Sequence, residues 1–366
     1  MSQAKAAGPR PRPGIMEIAA YVGGEHRAPG ANRTIRLASN ENPLGASAAA
    51  LAAYRAEEGE LHRYPDGSAA ELRAAIAAAE GLEAEQIVCG AGSDEIISLL
   101  MRAYAGPGDE VLYSAHGFLM YPIAAKGVGA TPIAVPERDL VADVDALLAA
   151  VTQRTRIVFL ANPNNPTGSL VASGEVARLA AGLPPDVLLV LDSAYAEYVA
   201  QPDYDAGAAL ARRHANVVMV RTFSKIHGLA ALRLGWCYAQ PPVIDVLNRL
   251  RGPFNVARAA LAAGVAAIRD PSHAETSRRL NARMRPWLAR ALTELGLEPR
   301  PSHGNFLLVR FPRADRTAAA ALAHLKAEGI LVRGMAAYGL PDCLRITVGL
   351  EDDCAAVRDA LAGFLA

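Results

Sequence analysis

The stretch RTFSKIHGLAALRLGW (221–236) sets Thr222, Ser224, Lys225 and Arg233 on a turn between two apolar runs. Lys225 is then either a solvated loop charge or an amine held in a pocket beside groups that receive an anion. Three other stretches offer matching chemistry. Asp192 ends the run VLLVLD, where an unpaired carboxylate is costly, so it should face a cationic partner. Tyr195 lies three residues on. In NPNNPTG (162–168), Asn165 precedes a Pro-Thr-Gly turn that would fix its amide at a sheet edge. In CGAGSDE (89–95) a strand runs into a helix, so the amides of Gly92, Ser93 and Asp94 could cradle a phosphate. Each stretch alone has a plain alternative, an ordinary tight turn.

One ligand uses the whole set. Pyridoxal phosphate needs a lysine for its imine and a carboxylate to keep its pyridine nitrogen protonated. It also needs hydrogen bonds to the ring hydroxyl, and a phosphate cup of hydroxyls, an arginine and helix-end amides.

The elements that must position these residues follow from the apolar pattern. QIVCGAG reads as a strand, followed by a helix that opens with Ser93 or Asp94 as N-cap and closes on Gly106. DEVLYS, ATPIAVP, TRIVFLANP, DVLLVLDSAY, NVVMVRTFS and RLGWCYA read as further strands, with a helix at SGEVARLAAGL. Runs such as VLLVL are apolar throughout, as in strands of a mostly parallel sheet covered by helices on both faces. Ligands of such sheets bind beyond the carboxyl ends of the strands, where these polar residues fall. After RGPFNV a long charged helix covers much of 272–296. NFLLVRF, GILVRG and CLRITVG then alternate with helices at 316–328 and 351–365, a smaller α+β unit. The fold class is therefore α/β, with an N-terminal arm (1–40), a large domain (41–255) and a small C-terminal domain (256–366).

Bulk properties narrow the function. The 366 residues are 52% hydrophobic, with Lys+Arg and Asp+Glu both 37, so nothing favours nucleic-acid or membrane-surface binding. Cys89, Cys237, Cys343 and Cys354 are scattered, without CxxC or paired His spacing, so neither a metal site nor disulfides are expected and a reducing compartment is the default. The N-terminus carries Lys5, Arg10 and Arg12 with no apolar run behind them. A loose first dozen residues, no secretory signal and a cytoplasmic location are expected.

In order, SNENPLG, RYPDG, GSDEII, NPNNPTG, LDSAYAEY, RTFSKIHGLAALRLG, RGPFNV, PSHGNF and LRITVG resemble the fold-type-I pyridoxal-phosphate aminotransferases, from about residue 35 onward. RYPDG, GSDEII and LRITVG resemble the histidinol-phosphate branch in particular. The resemblance implies that Lys225 carries the cofactor, Asp192 pairs with its ring nitrogen, and Asn165 and Tyr195 bond its ring oxygen. Ser224, Arg233 and the amides near Ser93 and Asp94 would take the phosphate, beside Thr222. Tyr64 of RYPDG would reach the phosphate of a neighbouring subunit, which implies a homodimer. Arg345 would hold the substrate's anionic group. Tyr21 and Arg333 either line that pocket or serve structure only, Tyr21 packing the arm and Arg333 forming a strand-end salt bridge. The same alternative for Arg345 is an ion pair with Glu351 or Asp352.

Two departures stand out. Asp192-Ser193-Ala194-Tyr195 replaces the usual Asp-Glu-Ala-Tyr, sparing both functional residues. The segment that normally lays an aromatic ring on the cofactor reads SAHGFLMY, where His116 is the expected ring and Phe118 the alternative. His227 reads as a loop residue rather than a base. The implied reaction is amino transfer from histidinol phosphate to 2-oxoglutarate, a step of histidine biosynthesis. An aromatic aminotransferase and a threonine-phosphate decarboxylase are the alternatives.

Overall fold

The computed structural model describes residues 9–21, 23–25, 27 and 33–366. Residues 1–8 of the expected loose terminus lie outside the described residues.

The apolar runs become seven strands: β1 (Ile87–Gly90), β2 (Glu110–Ser114), β3 (Thr131–Val135), β4 (Thr155–Ala161), β5 (Leu188–Asp192), β6 (Val217–Thr222) and β7 (Gly235–Ala239). They form one sheet in the order β1-β7-β6-β5-β4-β2-β3. All pairings are parallel except those of β7, which runs antiparallel to both β1 and β6. The reason lies between β6 and β7. Only the lysine turn and a single 3₁₀ turn (Ala230–Leu232) connect them, with no crossover helix to bring the chain back parallel.

Alternate residues of each strand enter different cores. Leu189, Leu191, Val217 and Met219 join one, and Leu188, Val190, Val218 and Val220 the other. Helices α1 (Ser93–Tyr104) and α2 (Met120–Val128) cover the second face, and Ala70–Glu80 and Ser173–Gly182 the first. Both faces are therefore apolar, which is why the strands read as continuous runs. The N-cap of α1 is Gly92 rather than Ser93 or Asp94, which are its first helical residues, and the helix stops at Tyr104. Only glycine fits at 92: φ is +85°, and a Cβ would lie 2.5 Å from the Arg233 guanidinium.

Helix Arg258–Ile268 also packs into the first core, through Ala260, Ala263 and Val265. It belongs with the large unit, although the sequence reading begins the small domain at 256. From α3 (Pro271–Glu294) onward the chain builds a four-stranded antiparallel sheet of β8 (Glu298–Pro299), β9 (Phe306–Arg310), β10 (Arg333–Gly334) and β11 (Cys343–Thr347), ordered β8-β9-β11-β10. The arm joins this unit. Ile35–Arg36 pairs in parallel with Ile330–Leu331, and Leu37 enters the small-domain core. Among the described residues no helix is long and apolar enough to cross a membrane.

Candidate active site

The strand ends, the small sheet and the arm enclose a cavity of about 260 Å³. A water takes about 30 Å³, so the space suits a small organic molecule. Every sequence candidate except Gly92, His116 and Tyr64 lines it.

Asp192, at the carboxyl end of β5, forms the floor. Its Oδ2 accepts a 2.7 Å hydrogen bond from the Tyr121 hydroxyl, while Oδ1 is buried with no partner. Burial pushes its pKa up to about 6 against the Tyr121 bond, and the charge of Asp94 adds to the rise. Among the described residues no ion pair reaches it, although the charge of Lys225 acts on it and opposes the rise. A ligand's protonated ring nitrogen would satisfy Oδ1.

Lys225 stands in the turn after β6, its Nζ donating to the Ser39 carbonyl at 3.2 Å and lying 5.7 Å from the centre of the Tyr195 ring. Burial, with the positive charge of Arg345 next, brings its pKa down to about 8. The Tyr195 hydroxyl accepts from Asn40 Nδ2 at 2.9 Å, and burial pushes its pKa up, so it stays protonated and can donate to a ligand oxygen. Asn40 has φ +54° and is pinned by Thr347, which accepts from its backbone N–H at 3.0 Å.

One end of the cavity suits a phosphate. The start of α1 presents the amides of Ser93 and Asp94. Gly235 lets β7 press on that point, since a Cβ there would lie 2.4 Å from the Ser93 nitrogen. Arg233, at φ +50°, donates to Ser224 Oγ at 3.3 Å and to Asp94 Oδ2 at 3.0 Å. Thr222 shapes the turn: its Oγ1 donates to the Leu234 carbonyl and accepts from the Ser224 N–H.

The opposite end of the cavity is lined by two arginines. Arg345 on β11 donates to Asn165 Oδ1 and, at 2.7 Å, to the Ala38 carbonyl, while its Nε is buried without a partner. The ion pair with Glu351 or Asp352 does not form, and Glu351 instead meets Arg283. Arg333 on β10 is the direct cross-strand partner of Arg345. Like charges placed opposite each other destabilise a sheet, and burial depresses the Arg345 pKa. Tyr21, half exposed, faces Arg333, with 5.7 Å from its ring centre to the guanidinium carbon.

Two candidates lie elsewhere. His116 is held by Glu137, with 2.7 Å from Nδ1 to the carboxylate, and does not line the cavity; Phe118 does. Of the expected ring and its alternative, it is Phe118 that borders the cavity. The turn Gly117 bends the chain so that residue 118, not 116, faces inward. Tyr64 is 79% exposed and stacks on Phe254, 4.5 Å between ring centres, away from its own chain's cavity. His227 is buried against Phe223, and burial with the charge of Arg221 lowers its pKa to about 4, which suits the non-catalytic reading. The four cysteines are free and buried, and among the described residues no cluster could hold a metal ion.

Tyr121 and Asn40 escaped sequence reasoning as functional residues. Tyr121 sits three residues after Phe118 in an apolar helix and reads as core. Asn40 lies inside the quoted SNENPLG, but only the fold carries it to Tyr195.

Residues 32–361 match the family model described as aminotransferase class I and II. A Rhodospirillum centenum protein named histidinol-phosphate aminotransferase is 58% identical, with 98% of this chain and 99% of that one covered. A Dinoroseobacter shibae protein of the same name is 57% identical, covering 97% and 98%. Among solved structures, histidinol-phosphate aminotransferase from Sinorhizobium meliloti in complex with pyridoxal-5'-phosphate superposes with a TM-score of 0.90 at 30% identity, covering 98% of each chain. L-threonine-O-3-phosphate decarboxylase from Porphyromonas gingivalis shares the fold, with a TM-score of 0.79 at 23% identity and coverage of 90% of this chain and 99% of that one. With the family model spanning most of its length, and a lysine, a buried aspartate and several arginines lining one cavity, the chain belongs to the class I and II aminotransferases.

Proposed function

We propose that this protein is a pyridoxal-phosphate-dependent aminotransferase acting between histidinol phosphate and 2-oxoglutarate, a step of histidine biosynthesis. The cavity fits the cofactor: Asp192 Oδ1 is orphaned for the ring nitrogen, Lys225 is a weakened base, and Ser224, Arg233 and the α1 amides form an anion cup. When bound, pyridoxal phosphate supplies an electron sink for the substrate's Cα–H electrons. Asp192 keeps the ring nitrogen protonated. Tyr195 and the Asn165 amide orient the ring oxygen. With the cofactor bound, Lys225 Nζ, with a pKa near 8, would move the substrate's Cα proton to the cofactor's C4′ in one half-reaction and carry a proton back to Cα in the other. Arg345 and Arg333 receive the substrate's anionic arm.

The observation that carries the substrate reading is the cross-strand pair Arg345 and Arg333 facing the same cavity as Lys225. Histidinol phosphate bears a phosphoryloxymethyl arm where glutamate bears its α-carboxylate, and a guanidinium fork bonds either anion bidentately. The full-length relatives named for this activity support the same reading. The test is a panel of half-reactions. Cofactor-loaded protein is mixed with histidinol phosphate, phenylalanine, tyrosine and threonine phosphate while the cofactor spectrum is followed. Fast conversion with histidinol phosphate alone is expected. Preference for phenylalanine or tyrosine would make it an aromatic aminotransferase, and carbon dioxide release without 2-oxoglutarate would make it a decarboxylase.

The proposal includes a cytoplasmic homodimer with shared sites. Tyr64 and Leu61 are exposed, and Tyr64 lies outside its own cavity, as a group serving the partner's phosphate cup would. Mixed dimers of Tyr64→Phe and Lys225→Ala chains should retain one site with both groups and one with neither, giving about half the wild-type activity. A fully active monomer in sedimentation would refute the shared site.

A further inference from the structure

His116 and Glu137 sit just outside the cavity wall, and the chemistry above does not use them. Glu137 begins the short hairpin Glu137–Arg138/Val141–Ala142 that follows β3. Its side chain is only 2% exposed. A buried carboxylate is costly unless donors surround it. Here the donors come from the end of β2 and the turn after it: Ser114 Oγ, the His116 backbone N–H at 3.0 Å and His116 Nδ1 at 2.7 Å. The same turn is bent at Gly117, whose N–H donates to the Ser114 carbonyl at 2.6 Å and whose Cβ, if present, would lie 2.9 Å from that oxygen.

The turn leads directly to groups of the site. Phe118 lines the cavity and meets Tyr121 edge-on, 5.8 Å between ring centres, and Tyr121 in turn holds Asp192. On the other side Asn164 Nδ2 donates to the His116 carbonyl at 3.2 Å and to Thr167 at 2.9 Å, bracing the loop that carries Asn165. A single clamp outside the cavity is thus tied to the ring-facing Phe118, to the support of Asp192 and to the Asn165 loop.

We infer, on the basis of the proposed cofactor, that His116 is a positioning residue: gripped by Glu137, it fixes the turn so that Phe118 presents its ring to the cofactor, and the grip relaxes when His116 loses its proton. Among the described residues Glu137 is the charged side chain that acts on the His116 ring; the neutral Ser114 hydroxyl bonds the same Glu137 carboxylate, and the neutral Asn164 amide meets the His116 backbone carbonyl. The hydrogen bond to Glu137, opposed by burial and aided by the Glu137 charge, holds the His116 pKa above its ordinary 6.5. For Glu137, burial is outweighed by the bonds from His116 and Ser114, and its pKa falls. Because the folded-state pKa of His116 is raised, the charge-assisted grip is complete below pH 6.5 and is lost as pH rises through the higher folded value.

The experiment compares wild type, His116→Asn and His116→Ala. Asparagine keeps an N–H donor near the Nδ1 position but cannot titrate. Three quantities are measured from below to above pH 6.5: the pyridoxal phosphate dissociation constant by equilibrium dialysis, the visible circular-dichroism band of the bound cofactor, and thermal unfolding of cofactor-free protein. His116→Ala should weaken cofactor binding about tenfold and change the visible band, with little change in cofactor-free unfolding, the scale of one lost charge-assisted bond. His116→Asn should bind nearly as wild type at low pH and lose the wild-type inflection that follows from His116. An unchanged band and affinity in His116→Ala, or the same inflection persisting in His116→Asn, would overturn the inference. So would a loss of cofactor affinity matched by an equal loss of cofactor-free stability, which marks a merely structural turn. If His116→Ala does not fold, the His116→Asn pH profile alone decides. Wild type that takes up no pyridoxal phosphate would sink the proposed function itself, whereas wild-type uptake with unaltered variants sinks only this inference.

Discussion

The two ends of the cavity are built in opposite ways. The lysine end comes from one sheet: Asp192, Thr222, Ser224 and Lys225 lie at the ends of adjacent strands β5 and β6, with α1 beside them. The arginine end is assembled from distant chain segments. Arg345 and Arg333 come from the small sheet and Ala38 from the arm, and Asn165 crosses over from the large unit to meet Arg345. Both ends hold buried polar atoms without partners, Asp192 Oδ1 at one and Arg345 Nε at the other. The first is an acceptor that a ring N–H satisfies and the second a donor that an anion satisfies. The lysine end can therefore hold a resident group on a rigid frame. On the proposed function the arginine end, built from the small sheet, the arm and Asn165, would meet the exchanging substrates.

The largest effect should come from Lys225→Ala. It is expected to lower turnover by at least about 10³-fold, the loss of a general base, while far-ultraviolet circular dichroism stays unchanged. Borohydride reduction and peptide mapping should place a pyridoxyl label on Lys225, and a label on Lys126 or Lys326 would break the assignment of the lysine end. Asp192→Asn comes next, with kcat expected to fall about 10²–10³-fold. Its stability effect has the opposite sign. The folded-state pKa of Asp192 is raised to about 6 from 3.8, so ionised Asp192 destabilises the cofactor-free protein above the folded pKa, and this penalty vanishes below 3.8. Cofactor-free Asp192→Asn should thus be more stable than wild type at neutral pH, by on the order of 2–3 kcal/mol at most, and equal to it in acid. Urea unfolding at two pH values tests this. A variant less stable at neutral pH would mean that Oδ1 is satisfied in solution.

Arg345 tests the other end. Arg345→Ala should cost about 2–3 kcal/mol in the half-reaction with histidinol phosphate and in that with glutamate, and Arg345→Lys should weaken both less. Stopped-flow measurement of each half-reaction separates them. If only glutamate suffers, the phosphate has another receptor.

The same contrast governs what was legible in the sequence. Residues at the carboxyl ends of apolar strands could be placed from local pattern alone, because a continuous run such as VLLVLD fixes where Asp192 emerges. Contacts that close over long sequence distances could not. Asn40 meets Tyr195 and Arg345 meets Asn165 only through the arm's pairing with Ile330–Leu331 and the packing of the small sheet. The antiparallel β7 was hidden because strand polarity depends on the connection, not on the strand. Nothing in the local pattern of SAHGFLMY separates His116, the expected stacking ring, from Phe118, its alternative. The bend at Gly117 and the pull of Glu137, a residue of the next hairpin, were invisible at that range.

Arg333 sharpens the comparison with the smallest effect. It shares the register and the cavity of Arg345, so an anion held between them should feel both charges. Its surroundings differ, however. Arg345 is 6% exposed, whereas Arg333 is partly open and lies against the half-exposed ring of Tyr21 at the rim. A charge near solvent is screened by salt, while one in the interior is screened far less. Arg333→Ala should therefore cost about 1 kcal/mol in substrate binding, with the loss shrinking as ionic strength rises. The cost of Arg345→Ala should stay nearly constant over the same range. The effect should also be greater for histidinol phosphate than for glutamate, since a phosphate dianion gains more from a second guanidinium than a carboxylate does. KM for both substrates, measured at low and high salt, checks both statements. Equal losses with equal salt dependence for the two arginines would show that the arginine end is a uniform surface charge rather than a buried receptor with a screened rim.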